Sequence, residues 1–273
     1  MKSYYVKDYD AFVRYFDIIG GSDDGSARVY LAGLSSPSTA IWLDIATHPL
    51  VRGRRSLLID YIGSGFSDKS TNFDHAMAHH AEYVAEILDH EGLSGCEILG
   101  HSMGGTVGIY LALQRPDLVS KLIMAESNLA GGGGPGTRYI ASFSEEQWLY
   151  DEYPAYMTLL REKAREGDTN AAMNVGAWEA SDPYGIYWQS RSLVALSDEF
   201  TEQALNLNIP TAFIYGDKNL PENNDGKIFP DSPEPDTLTS RGIHVGVVPN
   251  SGHMMMVDNL DGFAEVVAEA LSV

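Results

Sequence analysis

The sequence predicts an α/β fold, a parallel sheet covered on both faces by helices and interrupted once by a helical insertion. Three observations carry this. Short strands that are apolar throughout alternate with helix-period segments, as expected of a sheet buried on both faces. That rhythm breaks after Glu126 and resumes at Pro210. Residues 95–99 read as a strand that passes through a Gly-x-Ser-x-Gly turn straight into an apolar helical segment.

Taken in order, residues 4–19 alternate apolar and polar (Tyr4, Val6, Phe12, Arg14, Phe16, Ile18), predicting two early strands around an Asp8-Tyr9-Asp10 turn. Residues 20–25, Gly-Gly-Ser-Asp-Asp-Gly, read as a turn. Residues 27–31 form a buried strand that runs into Ala32-Gly33-Leu34-Ser35-Ser36-Pro37-Ser38. Residues 56–60 form another, followed by Tyr61-Ile62-Gly63-Ser64-Gly65-Phe66-Ser67-Asp68. A helix over residues 75–90 places Ala78, Ala81, Val84, Ile87 and Leu88 on one face. His75, His79, His80 and His90 lie on or beside it. The His75-to-His79 spacing suits a metal, but no carboxylate motif accompanies it, so a solvated face is expected.

In the central stretch, Gly100-His101-Ser102-Met103-Gly104 joins strand to helix. A serine on so sharp a turn must hold strained backbone angles, and its neighbours two residues either side must lack bulk. The hydroxyl is then pushed out above the sheet edge. The Met103 N–H falls at a helix N-terminus, where developing negative charge is favoured. The plainer alternative is a glycine-rich turn with no chemistry. The helix continues over residues 107–115 and Pro116 closes it, and residues 121–125 form a strand ending at Glu126.

Residues 128–207 are expected to form a helical cap between two core segments, 1–127 and 208–273. Gly131-Gly132-Gly133-Gly134-Pro135-Gly136 reads as a hinge. One helix starts at Ser144, whose partner Gln147 fits a capping box, and Pro154 is expected to interrupt it. Others are placed near residues 170–180 and 183–196. The segment is rich in Tyr and Trp, and these side chains serve either as cap core or as the lining of an apolar pocket above Ser102. Trp178 and Trp188 are the candidates to touch ligand. The sheet pattern resumes at residues 210–217, an acidic, proline-rich loop runs to about Pro235, and a last strand covers residues 243–248. Asn250-Ser251-Gly252-His253 and three methionines follow, then a closing helix over residues 260–271.

The 273 residues suffice for one large α/β domain with an insertion. A net charge of −20 disfavours nucleic acid and anionic membranes as partners. No apolar run is long enough to span a bilayer and the start lacks a signal-peptide core, so a cytoplasmic location is expected. The single cysteine, Cys96, excludes an intrachain disulfide and reads as a small buried residue.

Three ordered motifs, Asp60-Tyr61-Ile62-Gly63-Ser64-Gly65-Phe66-Ser67, Gly100-His101-Ser102-Met103-Gly104-Gly105 and Ser251-Gly252-His253, resemble the α/β-hydrolase superfamily. The likeness covers nearly the whole chain. It implies a mostly parallel eight-stranded sheet flanked by helices, with Ser102 as nucleophile and His253 as the base that accepts its proton. It also implies an oxyanion hole from the Met103 and Leu34 amides, although the family's usual His-Gly is here Ala32-Gly33. The acid departs from the family pattern. Its usual slot after the penultimate strand reads Gly216-Asp217-Lys218-Asn219, with Asn where Asp is usual. Certain haloalkane dehalogenases and the zearalenone-type lactone hydrolases draw the acid from the end of the strand after the nucleophile helix, where Glu126 stands. A carboxylate ending a buried strand is costly unless paired. Glu126 is therefore the expected acid, with Asp217 as the alternative and a simple cap of the Gly-rich hinge as the plainer role.

With Ser at the elbow, acyl chemistry is expected: a serine hydrolase of carboxylic esters or lactones working through an acyl-enzyme. The alternatives are a C–C bond hydrolase of diketone ring-cleavage products and a non-catalytic, ligand-binding relative. No cofactor and no metal is expected. The expected partner is a small-molecule ester or lactone, with the protein a monomer or homodimer.

Overall fold

The computed structural model describes residues 1–21, 25–225, 229 and 231–273. The centre of the expected turn at residues 20–25 and part of the acidic loop before Pro235 lie outside them. At the start, β1 (Lys2–Val6) and β2 (Ala11–Ile18) pair antiparallel across a short 3-10 turn. There follow β3 (Arg28–Leu31), α1 (Ser38–Thr47), β4 (Ser56–Ile59), α2 (Met77–His90), β5 (Cys96–His101), α3 (Met103–Gln114) and β6 (Val119–Ala125). Six helices then run in succession: α4 (Pro135–Ala141), α5 (Glu145–Gln147), α6 (Tyr153–Arg165), α7 (Thr169–Glu179), α8 (Pro183–Val194) and α9 (Asp198–Leu205). The chain returns through β7 (Thr211–Gly216), α10 (Pro235–Ser240), β8 (His244–Val248), α11 (Met255–Asp258) and α12 (Leu260–Ser272).

The strands form one eight-stranded sheet in the order β1-β2-β4-β3-β5-β6-β7-β8. Only the two pairings made by β2 are antiparallel. Side chains alternate across it: Val29 and Leu31 enter one apolar cluster with α2 and α3, and Tyr30 enters the other with α1 and α12. Fully burying a side chain such as Leu31 contributes roughly 1.5–3 kcal/mol.

The parallel register is what assembles a site. Leu31 pairs with Gly100, His101 with Ala125, Ala125 with Ile214, and Gly216 with Val248. The loops that leave β3, β5, β6, β7 and β8 therefore emerge side by side at one sheet edge, which is where open α/β sheets bind ligands.

Several elements differ from expectation. Helix α1 follows Pro37 and buries Ile41, Trp42, Ile45 and Ala46, with the Trp42 indole donating to the Leu31 carbonyl at 3.0 Å. Helices α9 and α10 are likewise additional, α9 being capped by the Ser197 hydroxyl. Pro154 does not interrupt its helix. The Ser144–Gln147 capping box forms as expected, a π turn over Trp148–Glu152 follows, and Pro154 then sits in the first turn of α6. Helical backbone runs unbroken from Glu145 through that π turn into α6, so the hydrogen-bond ladder is already shifted where Pro154 lacks its N–H. The Gly-rich stretch ends inside α4, which begins at Pro135 behind Gly134.

The expected solvated histidine face is corrected at two positions. His75 and His80 are fully buried, packed edge-on against Phe73. Burial pushes His75 down to about 4 and His80 also well down, so both rings are neutral and pack as aromatics. A pattern reading that scores histidine as polar misses this. His79 is the partner of Asp74 near the surface. Cys96 is buried and free.

Candidate active site

Ser102 is the turn residue between β5 and α3, with φ +51° and ψ −121°. A non-glycine residue at positive φ is strained, and the surroundings hold it there. Its N–H donates to the Ala125 carbonyl at 2.8 Å, and its own carbonyl accepts from Gly105 at 3.0 Å. The glycines are required by contact: a Cβ on Gly100 would meet the Gly105 nitrogen at 2.4 Å, and one on Gly104 would meet the Leu31 oxygen at 2.1 Å.

The backbone of Ala32-Gly33-Leu34 passes beside this turn. A Cβ on Gly33 would lie 3.1 Å from the Ser102 Cβ. The Asp60 carboxylate and Ser38 brace this loop. Ser38 donates its N–H to Asp60 Oδ1 at 2.8 Å, its hydroxyl accepts from Ala32 at 3.1 Å, and that hydroxyl donates to the Ile59 carbonyl at 2.6 Å. Asp60 also accepts from the Phe66 N–H at 3.0 Å, which ties the glycine-rich loop after β4 to the same carboxylate. Leu34 lines the cavity above Ser102. Met103 is the first residue of α3, so its N–H has no intrahelical acceptor.

Glu126 follows β6 at φ +48° and is 9% exposed. Its Oε1 accepts from the Gly216 N–H at 2.7 Å, and its Oε2 lies 3.9 Å from His253 Nδ1. That separation is ion-pair range rather than hydrogen-bond length. Asp217 is committed elsewhere: its two oxygens accept from the Asn250 and Ser251 N–H groups at 2.8 and 2.9 Å. Those bonds hold its carboxyl below the usual carboxylate range. Asn219 lines the cavity with Ser102 and His253.

His253 stands half exposed at the cavity edge. No hydrogen bond joins it to the Ser102 hydroxyl among the described residues, and such contacts tighten when substrate arrives. Its position is fixed from below by His101, whose Nε2 donates to the His253 carbonyl at 2.8 Å with the ring centroids 4.7 Å apart. Complete burial, with the nearby His253 adding to it, pushes His101 down to about 3, so it is a neutral donor.

The cavity measures about 500 Å³ and is bounded by the loops of the sheet edge on one side and by α4, α6 and α7 on the other. This size accommodates a small ligand. Trp178 lines it, stacked on Tyr153 and tilted against Tyr156. Trp188 does not reach it; its indole donates to Glu145 at 2.8 Å and packs among Tyr184 and Tyr187. Tyr156, Asn128 and Asp231 also line the wall. Asn128 stands two residues after Glu126, a placement the sequence offers without any chemical motif. Asp231 falls in the acidic loop, where nothing distinguishes it from its neighbours. Among the described residues, no cluster of three or more His, Cys, Asp or Glu side chains has the arrangement to hold a metal ion. Nor, among them, is any helix long and apolar enough to cross a membrane.

Residues 29–260 match the family model described as alpha/beta hydrolase fold. Among curated proteins, a 109-residue stretch is 33% identical to the protein that bears the name carbamate hydrolase RutD in Variovorax paradoxus, covering 40% of this chain and 41% of that one. A 117-residue stretch is 32% identical to an sn-1-specific diacylglycerol lipase of Mus musculus, covering 42% of this chain and 37% of the lipase. These matches thus span about two fifths of the relatives' length. Among solved structures, an esterase from Exiguobacterium antarcticum superposes with a TM-score of 0.76 at 18% identity, covering 99% of both chains. An enol-lactonase from Burkholderia xenovorans does so at 0.76 and 17% identity, covering 100% of both. At such identities the likeness concerns the fold.

Proposed function

The chain belongs to the alpha/beta-hydrolase family, and from that premise we propose that it hydrolyses carboxylic esters or lactones through an acyl-enzyme formed on Ser102. The observation that carries the reading is the convergence of a strained serine, a histidine and a buried carboxylate at adjacent strand ends around one cavity. In this mechanism His253 takes the Ser102 proton as the oxygen attacks the carbonyl carbon. The Leu34 and Met103 amides receive the oxyanion, and the N-terminus of α3 adds its dipole. His253 returns the proton to the departing alcohol. A water, deprotonated by the same ring, then releases the acid. Glu126 holds the ring in the tautomer that presents Nε2 to Ser102 and offsets the imidazolium charge.

Esterases and lactonases among the structural neighbours support this choice of substrate class. A C–C bond hydrolase would use the same three side chains and differ in what the cavity admits. The test is a panel of short 4-nitrophenyl esters, aromatic lactones and ring-cleavage diketones. Ester or lactone turnover with stoichiometric release of acid is expected. Cleavage of diketones with no ester turnover would replace this reading with the alternative.

A further inference from the structure

We propose that Asn128 and Asp231 form a second recognition site in the cavity that binds a hydrogen-bond donor, a hydroxyl or N–H carried on the substrate. The inference rests on the ester or lactone hydrolase reading above and narrows its substrate class.

Both side chains line the same cavity as Ser102 and both are only 5% exposed. The Asn128 amide donates through Nδ2 to Asp231 Oδ2. Asn128 Oδ1 is then left buried with no hydrogen-bond partner among the described residues. Asp231 has no ion pair among them either: its neighbour Arg138 donates to the Gly133 carbonyl at 2.8 Å. An acceptor pair buried without enough donors is unfavourable, and burial accordingly pushes the Asp231 carboxyl up. Asn128 Oδ1 itself is covered, so the acceptor offered to a ligand is the Asp231 carboxylate that Asn128 orients; a donor there would offset its desolvation, whereas an apolar group would deepen it.

The pair is also held in place rather than loosely packed. The Asp231 carbonyl accepts from Leu129 at 2.8 Å, which pins its loop to the segment after β6. The Asn128 carbonyl accepts from the Thr106 hydroxyl at 2.8 Å, which pins the other partner to α3. A carboxylate and the amide that donates to it, fixed from two directions, are the arrangement of a preorganised polar site. Sites built to hydrogen-bond a substrate group discriminate strongly against the analogue that lacks it.

The test is binding of matched esters to the Ser102→Ala protein, where turnover does not intervene. Benzyl 2-hydroxybutanoate and benzyl 3-hydroxybutanoate are titrated calorimetrically beside their O-methyl ethers and benzyl butanoate. At least one hydroxy ester is expected to bind tenfold or more tightly than both its ether and the unsubstituted ester. That preference is expected to vanish when Asp231→Leu is added. Equal affinities at both positions, no binding by any member, or a preference that survives Asp231→Leu would overturn the proposal. Should Asp231→Leu not fold, Asn128→Leu provides the same comparison. Failure of the hydrolase reading is separate and visible: wild-type protein would bind an ester and not cleave it.

Discussion

Ser102→Ala is expected to reduce kcat on any accepted ester by roughly 10⁴–10⁶-fold while the protein stays folded. In the proposed mechanism the hydroxyl is the atom that bonds to the carbonyl carbon, and among the described residues no other serine at this sheet edge sits on a strained turn at the N-terminus of a helix. Ser35 also has positive φ, at 56°, but its hydroxyl donates to the Leu34 carbonyl at 2.7 Å. Alanine removes one oxygen and keeps the Cβ, so circular dichroism and the thermal midpoint should be near those of the parent. Initial rates with a 4-nitrophenyl ester check the first part. A variant that retained more than a tenth of parental kcat would remove Ser102 from the chemistry.

Glu126→Gln should lower kcat by about 10²–10⁴-fold, and Asp217→Asn should leave it within roughly threefold. Glutamine can still accept from the Gly216 N–H through its oxygen, so the end of β6 remains anchored. Its amide nitrogen is neutral and a donor, and it faces His253 Nδ1 where a carboxylate oxygen stood at 3.9 Å. The favoured histidine tautomer then reverses and the imidazolium loses its counter-charge. Asp217 bonds instead to the Asn250 and Ser251 amides that shape the turn after β8. Its replacement should appear in the thermal midpoint more than in kcat. The reverse pattern, near-native kcat in Glu126→Gln with several orders lost in Asp217→Asn, would transfer the acid role to Asp217.

Most of the sheet was legible in the sequence because a strand buried on both faces leaves an unbroken apolar run, as in residues 56–59 and 96–99. The same physics made the elbow legible. Gly100 and Gly104 have no room for a Cβ, and only a special backbone explains that spacing around a serine. Helix α1 was less legible because its apolar residues are bounded by prolines and serines that read as loop. The buried pair His75 and His80 is not legible because periodicity scores a residue type, whereas a neutral imidazole against Phe73 behaves as an aromatic. Trp178 and Trp188 had the same composition to recommend them, yet α7 presents one to the cavity and α8 turns the other toward Glu145. Asn128 and Asp231 come together from segments 103 residues apart, a contact that only the fold creates.

The most direct measurement is covalent labelling with a serine-directed phosphonate, located by mass spectrometry of proteolytic peptides. A single adduct on the peptide bearing Ser102 is expected, matched in time by loss of ester turnover. Labelling should slow by about 10²-fold or more in His253→Ala, because the hydroxyl loses the base that takes its proton. No adduct on Ser102 in a protein that still cleaves esters, or an adduct on another serine, would contradict the account.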